Sequence, residues 1–91
     1  MRIKEHPLYI QYTFSTSLVI DDELNASLQD TSEFDAFRLC LEKHNIWNFK
    51  MDRCVNAINE IEISIIVYNE LLTDAFQYDL TTLMLQGKLG K

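Results

Sequence analysis

The chain has 91 residues, a formal charge of −6 and an apolar fraction of 47%. That length suits one domain, 1–91, with a modest core, and that apolar content excludes an acidic disordered tail. Net negative charge argues against direct binding of DNA, RNA or anionic lipid, and no apolar run approaches the ~18 residues of a membrane span.

The N-terminal Met1-Arg2-Ile3-Lys4-Glu5-His6-Pro7 has no following apolar stretch or small-residue cleavage site, so no signal peptide is expected. Two cysteines without an export signal point to free thiols in a reducing compartment, by default the cytoplasm. Pro7, Gly87 and Gly90 are the chain's only proline and glycines. Long regular elements with short polar connections are expected, and no glycine-rich active-site loop.

Leu8, Ile10, Tyr12 and Phe14 alternate with polar or aromatic neighbours, which predicts a strand over 8–16. Asp21-Asp22-Glu23-Leu24 can open a short helix ending near Gln29, since acids suit a helix N-terminus. Thr31 or Ser32 is the expected N-cap of a helix over 32–45. Phe34, Phe37, Arg38 and Leu41 share one face of it, with acids in its first turn and Lys43 and His44 in its last. Trp47, Phe49 and Met51 alternate as a short strand would.

Residues 52–86 read in two ways. Cys54, Ile58, Ile61, Ile65, Tyr68 and Leu72 follow a 4-3-4-3-4 spacing, which suits one long helix with a coiled-coil-like seam. Against that, the stretch from Ile61 to Val67 is rich in β-branched residues, which favour strands. The preferred division is a short helix over 52–60, a strand over 61–68 and a helix over 70–86 that stops at Gln86-Gly87-Lys88. The expected fold is α+β, with two or three short strands and two to three helices. The alternative is mainly α, with one long helix over 52–86.

The charge is sorted by block. Residues 21–35 hold Asp21, Asp22, Glu23, Asp30, Glu33 and Asp35 and no base, and residues 54–87 hold Glu60, Glu62, Glu70, Asp74 and Asp79 and no base. Solvated surfaces normally mix their signs, whereas sorted carboxylates make a directional field that steers a positive partner. Glu70 and Asp74 at i,i+4 of a helix would stand ~6 Å apart. Glu60 and Glu62 on one face of a strand would stand ~6.7 Å apart. Both spacings suit a basic groove built for a phosphate backbone. The expected partner-binding set is Asp21, Asp22, Glu23, Asp30, Glu33, Asp35, Glu60, Glu62, Glu70 and Asp74.

Other chemistry has little support. Cys40 and His44 at i,i+4 form one loose pair, which Cys54 or His6 would have to complete for a metal; the expectation is a core cysteine and a helix-terminal histidine. No orienting third group or oxyanion turn accompanies a cysteine nucleophile, so no catalysis is expected. No P-loop, dinucleotide fingerprint or zincin helix is present, and Asp21-Asp22-Glu23 lacks the glycine and final glutamate of a calcium loop. No cofactor or metal is expected. The aromatic set, with Trp47 and Phe49 beside Lys50 and Arg53, reads as core plus one exposed anchor.

In size and charge alone the chain resembles phage anti-restriction and anti-defence proteins and bacterial toxin-immunity proteins. No residue motif carries the likeness, and it assigns no positions. The leading expectation is a small inhibitor that mimics nucleic acid and blocks a basic site on a partner protein. The alternative is an assembly protein that pairs with itself or with another subunit through its isoleucine-rich stretch.

Overall fold

Alternation of apolar and polar residues dominates this chain, and strands dominate its structure. A computed structural model describes residues 1–57 and 59–89; Ile58, Gly90 and Lys91 lie outside the described residues. The strands are β1 (Arg2–Glu5), β2 (Tyr9–Ile20), β3 (Ala26–Gln29), β4 (Lys50–Ala57) and β5 (Glu60–Tyr68). The helices are α1 (Ser32–Lys43) and α2 (Asp74–Leu85), the latter preceded by a single 3-10 turn at Asn69–Leu71. Among the described residues no helix is long and apolar enough to cross a membrane.

All five strands form one antiparallel sheet in the order β1-β2-β5-β4, with β3 also paired to β2. Ser17 pairs with Glu60 of β5 and with Gln29 of β3. β3 therefore follows β1 along one edge of β2, while β5 occupies the other. The fold is α+β as expected, but the described residues form five strands rather than two or three.

Opposite residues in an antiparallel pair share a face, and successive residues alternate. One face thus carries Tyr12, Phe14 and Thr16 of β2 with Ile63, Ile65 and Val67 of β5, all buried. Both helices pack on it. Phe37 of α1, fully enclosed, has its ring centroid 4.6 Å from Tyr12, 5.2 Å from Phe14 and 6.1 Å from Phe76 of α2. Burying one such ring stabilises the fold by about 2–3 kcal/mol. Arg38, placed with Phe34 and Phe37 on sequence grounds, points to solvent; Cys40 takes the inward position.

Several sequence expectations are corrected. Residues 21–29 form no helix: they turn a β-hairpin and enter β3. Asp21 Oδ1 accepts from the backbone N–H groups of Glu23 and Asn25, which satisfies the turn from within. Residues 52–57, 59 and 60 form no helix either, Ile58 lying outside the described residues. They belong to β4 and its turn into β5, and pairing of Lys50–Val55 with Ile61–Ile66 overrides the helical spacing. The single helix over 52–86 is thereby excluded. Helix α2 starts at Asp74 rather than 70, because the Thr73 hydroxyl caps it by accepting from the Phe76 N–H. Trp47 and Phe49 precede β4 and are not in a strand. Thr31 holds the N-cap position of α1, but its hydroxyl donates to Asp35 instead of capping. Strand β1 was not anticipated.

Both helices end in the same motif. Lys88 N–H reaches Leu83 O and Gly87 N–H reaches Met84 O, with Gly87 at φ 74°. Ile46 N–H reaches Leu41 O and Asn45 N–H reaches Glu42 O, with Asn45 at φ 56°. These are Schellman stops, which need a left-handed residue. Asn45, Asp30, Asn59 and Leu24 supply positive φ where glycine is absent. Asparagine and aspartate tolerate that region; leucine does not do so readily.

Candidate partner-binding surface

Strand β2 outruns its neighbour. Ladder pairing with β5 ends at Ser17, Leu18 N–H still donates to Asn59 O at 2.8 Å, and Val19–Ile20 pair only with Ala26–Ser27 of β3. Residues 18–28 thus extend from the sheet as a two-stranded arm, in a molecule 46 Å long and 26 by 23 Å across. Every residue from Val19 to Asp30 is exposed. The arm and its base, 17–30, carry Asp21, Asp22, Glu23 and Asp30 and no base.

The ten carboxylates expected to form one track do not. Asp21, Asp22 and Glu23 occupy the arm's tip, and Asp30 its base. Glu33 and Asp35 lie in the first turn of α1. Glu60 and Glu62 share one face of β5, as expected, but it is the open face, opposite the helices. Glu70 lies in the 3-10 turn and Asp74 opens α2, so the two are not on one helix. Both follow Tyr68, which pairs with Tyr9, at the end of the sheet opposite the arm. The two acidic blocks therefore do not share one face.

Many of these carboxylates also have partners within the chain. Glu62 pairs with Arg2, and the Asn56 amide donates to both Glu60 and Glu62 at 3.3 Å. Glu33 accepts from the Met1 amino group at 2.6 Å. Asp35 accepts from Thr31 at 3.0 Å. Backbone hydrogen bonds from Asn25 and Glu23 hold the Asp21 carboxyl below its ordinary range. Asp22, Glu23 and Asp30 remain on the arm, with no ion pair among the described residues.

Sequence reasoning missed the arm's apolar residues. Leu18, Ile20 and Leu28 lie on the helix side of the sheet, by parity with Phe14 and Thr16 and by the Leu18–Leu28 pairing. Leu24, at the tip among the acids, is 83% exposed with φ 65°. The turn itself would be easier with glycine or asparagine there. An exposed leucine in a left-handed conformation was detectable in sequence only as an apolar residue among acids.

A second missed feature is a groove of about 350 Å³ between the outer sides of α1 and α2. Ala36, Leu39, Cys40 and Leu83 line it, with Lys43, Asp79 and Lys88 beside them. His44 Nε2 donates to Asp79 at 2.6 Å, and Lys43 Nζ approaches the same oxygen at 3.1 Å. Those two bonds, the His44 bond first, hold the Asp79 carboxyl below its ordinary range. Burial pushes the Cys40 thiol up, with Asp79 adding and Lys43 opposing. A protonated, enclosed thiol is a poor nucleophile. Cys54 stands on the open face, across the sheet from Cys40, and both are free. Among the described residues no three histidine, cysteine or acidic side chains gather as a metal site.

No protein-family model, curated protein or solved structure matches the chain.

Proposed function

We propose that this chain is a non-enzymatic protein-binding protein that presents the acidic β2–β3 arm to a basic groove on a protein partner. One observation carries the reading: the arm projects with its side chains exposed, bearing four carboxylates, no base and an apolar side. Charge steers the encounter and sets its salt dependence, while Ile20, Leu24 and Leu28 supply desolvated area. A groove that normally holds a nucleic-acid backbone is such a surface, and filling it makes the chain an inhibitor of the anti-restriction or immunity kind. Glu70 and Asp74 drop out of the contact set because they face the opposite end. Two free cysteines favour action in a reducing compartment such as the cytoplasm.

A second reading, assembly with another subunit, is favoured by the exposed Ile20, Leu24, Leu39 and Leu85, which a lone domain leaves in water.

The test is capture from host lysate on the tagged chain at ~0.1 M salt, followed by a step to ~1 M, where charge acts across only ~3 Å. The inhibitor reading expects a basic nucleic-acid-binding protein that salt releases. The double variant Asp22→Lys/Glu23→Lys should lose it, and Glu70→Lys/Asp74→Lys should keep it. Capture that ignores the arm variant overturns the reading.

A further inference from the structure

The arm and the interhelical groove have complementary chemistry. The tip presents one exposed leucine, Leu24, flanked by Asp21, Asp22 and Glu23. The groove presents an apolar lining with Lys43, Asp79 and Lys88 beside it. Lys43 shares Asp79 with His44, and Lys88 has no ion-pair partner among the described residues. Leu39 at its edge is 60% exposed, and Leu85 at the end of α2 is 84% exposed. We infer that the arm of one copy docks in the α1–α2 groove of a second copy, with Leu24 in the apolar floor and Asp22 and Glu23 against Lys43 and Lys88. This inference rests on the arm reading above and names its partner.

The topology allows the exchange to be reciprocal. The apolar side of the arm, Leu18, Ile20 and Leu28, faces the same way as the helices. A twofold axis can set the two sheets outermost with their helices side by side between them. Each arm then crosses the outer surface of the neighbour's helices with its apolar side inward. The contact is isologous and closed, so it yields a dimer and not a filament. It covers Leu39 and Leu24 together. It also braces a two-stranded ribbon, which is marginal alone in water. The strained Leu24 conformation fits the same account, because strain persists where a side chain has a use. A basic partner of the inhibitor kind would compete with the second copy for the arm.

The experiment is sedimentation equilibrium of the purified chain from ~1 µM to ~1 mM at ~0.1 M salt. A monomer–dimer equilibrium is expected. Leu24→Asp and Leu39→Asp should each weaken it about tenfold or more, the loss expected from one buried leucine. Both side chains are exposed in the single copy, so circular dichroism should show an unchanged fold. Lys88→Glu should weaken the dimer, and adding Glu23→Lys to it should restore association. Monomer at every concentration overturns the inference; if lysate capture still depends on the arm, the arm reading stands without it. A dimer indifferent to Leu24→Asp but broken by Val55→Lys places the contact on β4 and also overturns it. Open-ended oligomers exclude the closed exchange.

Discussion

His44 Nε2 donates a 2.6 Å hydrogen bond to Asp79 Oδ2, tying the end of α1 to the middle of α2 across 35 residues of sequence. With Lys43 it holds Asp79 below the ordinary carboxylate value of 3.8. A depressed folded pKa contributes stability above the unfolded value, and that contribution is lost as pH falls through the folded one. Asp79→Asn should therefore lower the urea midpoint at pH 7, and the gap to the parent should close as pH drops below about 4. A gap of equal size at about pH 2 would show that the carboxylate charge is not its source.

Tyr12 behaves in the opposite sense. Burial, then Cys40 and Glu5, pushes its phenol from 10.0 to about 12. A raised folded pKa leaves stability unchanged below about pH 10 and lowers it as pH rises towards 12, where the unfolded phenol ionises and the buried one does not. The parent loses about 3 kcal/mol over that range, from two units at 1.36 kcal/mol each. Tyr12→Phe should be close to the parent at pH 7 and more resistant to unfolding at pH 12. Urea titrations at the two pH values, with tyrosinate absorbance followed in parallel, check both signs.

The helix stops give a paired test. An added Cβ at Gly87 meets nothing within 4 Å, so the cost of Gly87→Ala is the positive φ alone, about 1 kcal/mol. Asn45→Ala should cost a similar amount, whereas Asn45→Gly should be neutral or slightly stabilising. Chemical denaturation of the three variants measures the differences. Loss of stability in Asn45→Gly would mean that the asparagine side chain, and not the backbone conformation, holds that stop.

Phe37 joins β2 to α2. Phe37→Ala should cost about 3–5 kcal/mol. A domain of this length has about 5–13 kcal/mol in total, so the variant should lose a large share of its stability and melt far below the parent. Phe37→Leu should fold with a lowered midpoint. Thermal melts by circular dichroism separate the two.

The thiols should differ in reactivity. Cys54 is exposed, and Cys40 is buried with its thiol pushed up. A thiol reagent should modify one cysteine rapidly and the second only with unfolding. Mass spectrometry of the native and urea-treated chain identifies which. Rapid labelling of Cys40 in the native chain would mean that the groove opens readily.

The period-two run in β2, the β-branched run in β5 and the charge-polarised helix α1 were legible because each is a local pattern. Misreadings fell where local signals compete. The seam spacing from Cys54 suits a helix over 52–60, but pairing of β4 with β5 decided the described residues there. Asp21-Asp22-Glu23 suits a helix start, but Asp21 turns its oxygen on its own hairpin. Glu70 and Asp74 share a helix face only if the helix begins early, and the Thr73 cap prevents that. Of the expected contact set, the arm acids stayed together. Glu60 and Glu62 went to the other face, and Glu70 and Asp74 to the other end.

The sequence by itself determined the sorted charge, the apolar positions of β2, β5 and α1, and the glycine stop of α2. These depend on neighbours a few residues apart, through pleat, helical pitch and backbone φ. Only the tertiary structure decided that β2 outruns β5, that an acidic arm therefore projects, and that α1 and α2 leave a lysine-edged groove. Strand register and helix packing couple residues dozens of positions apart. Their free energy comes from contacts such as Phe37 on Tyr12, Phe14 and Phe76, which no local window contains.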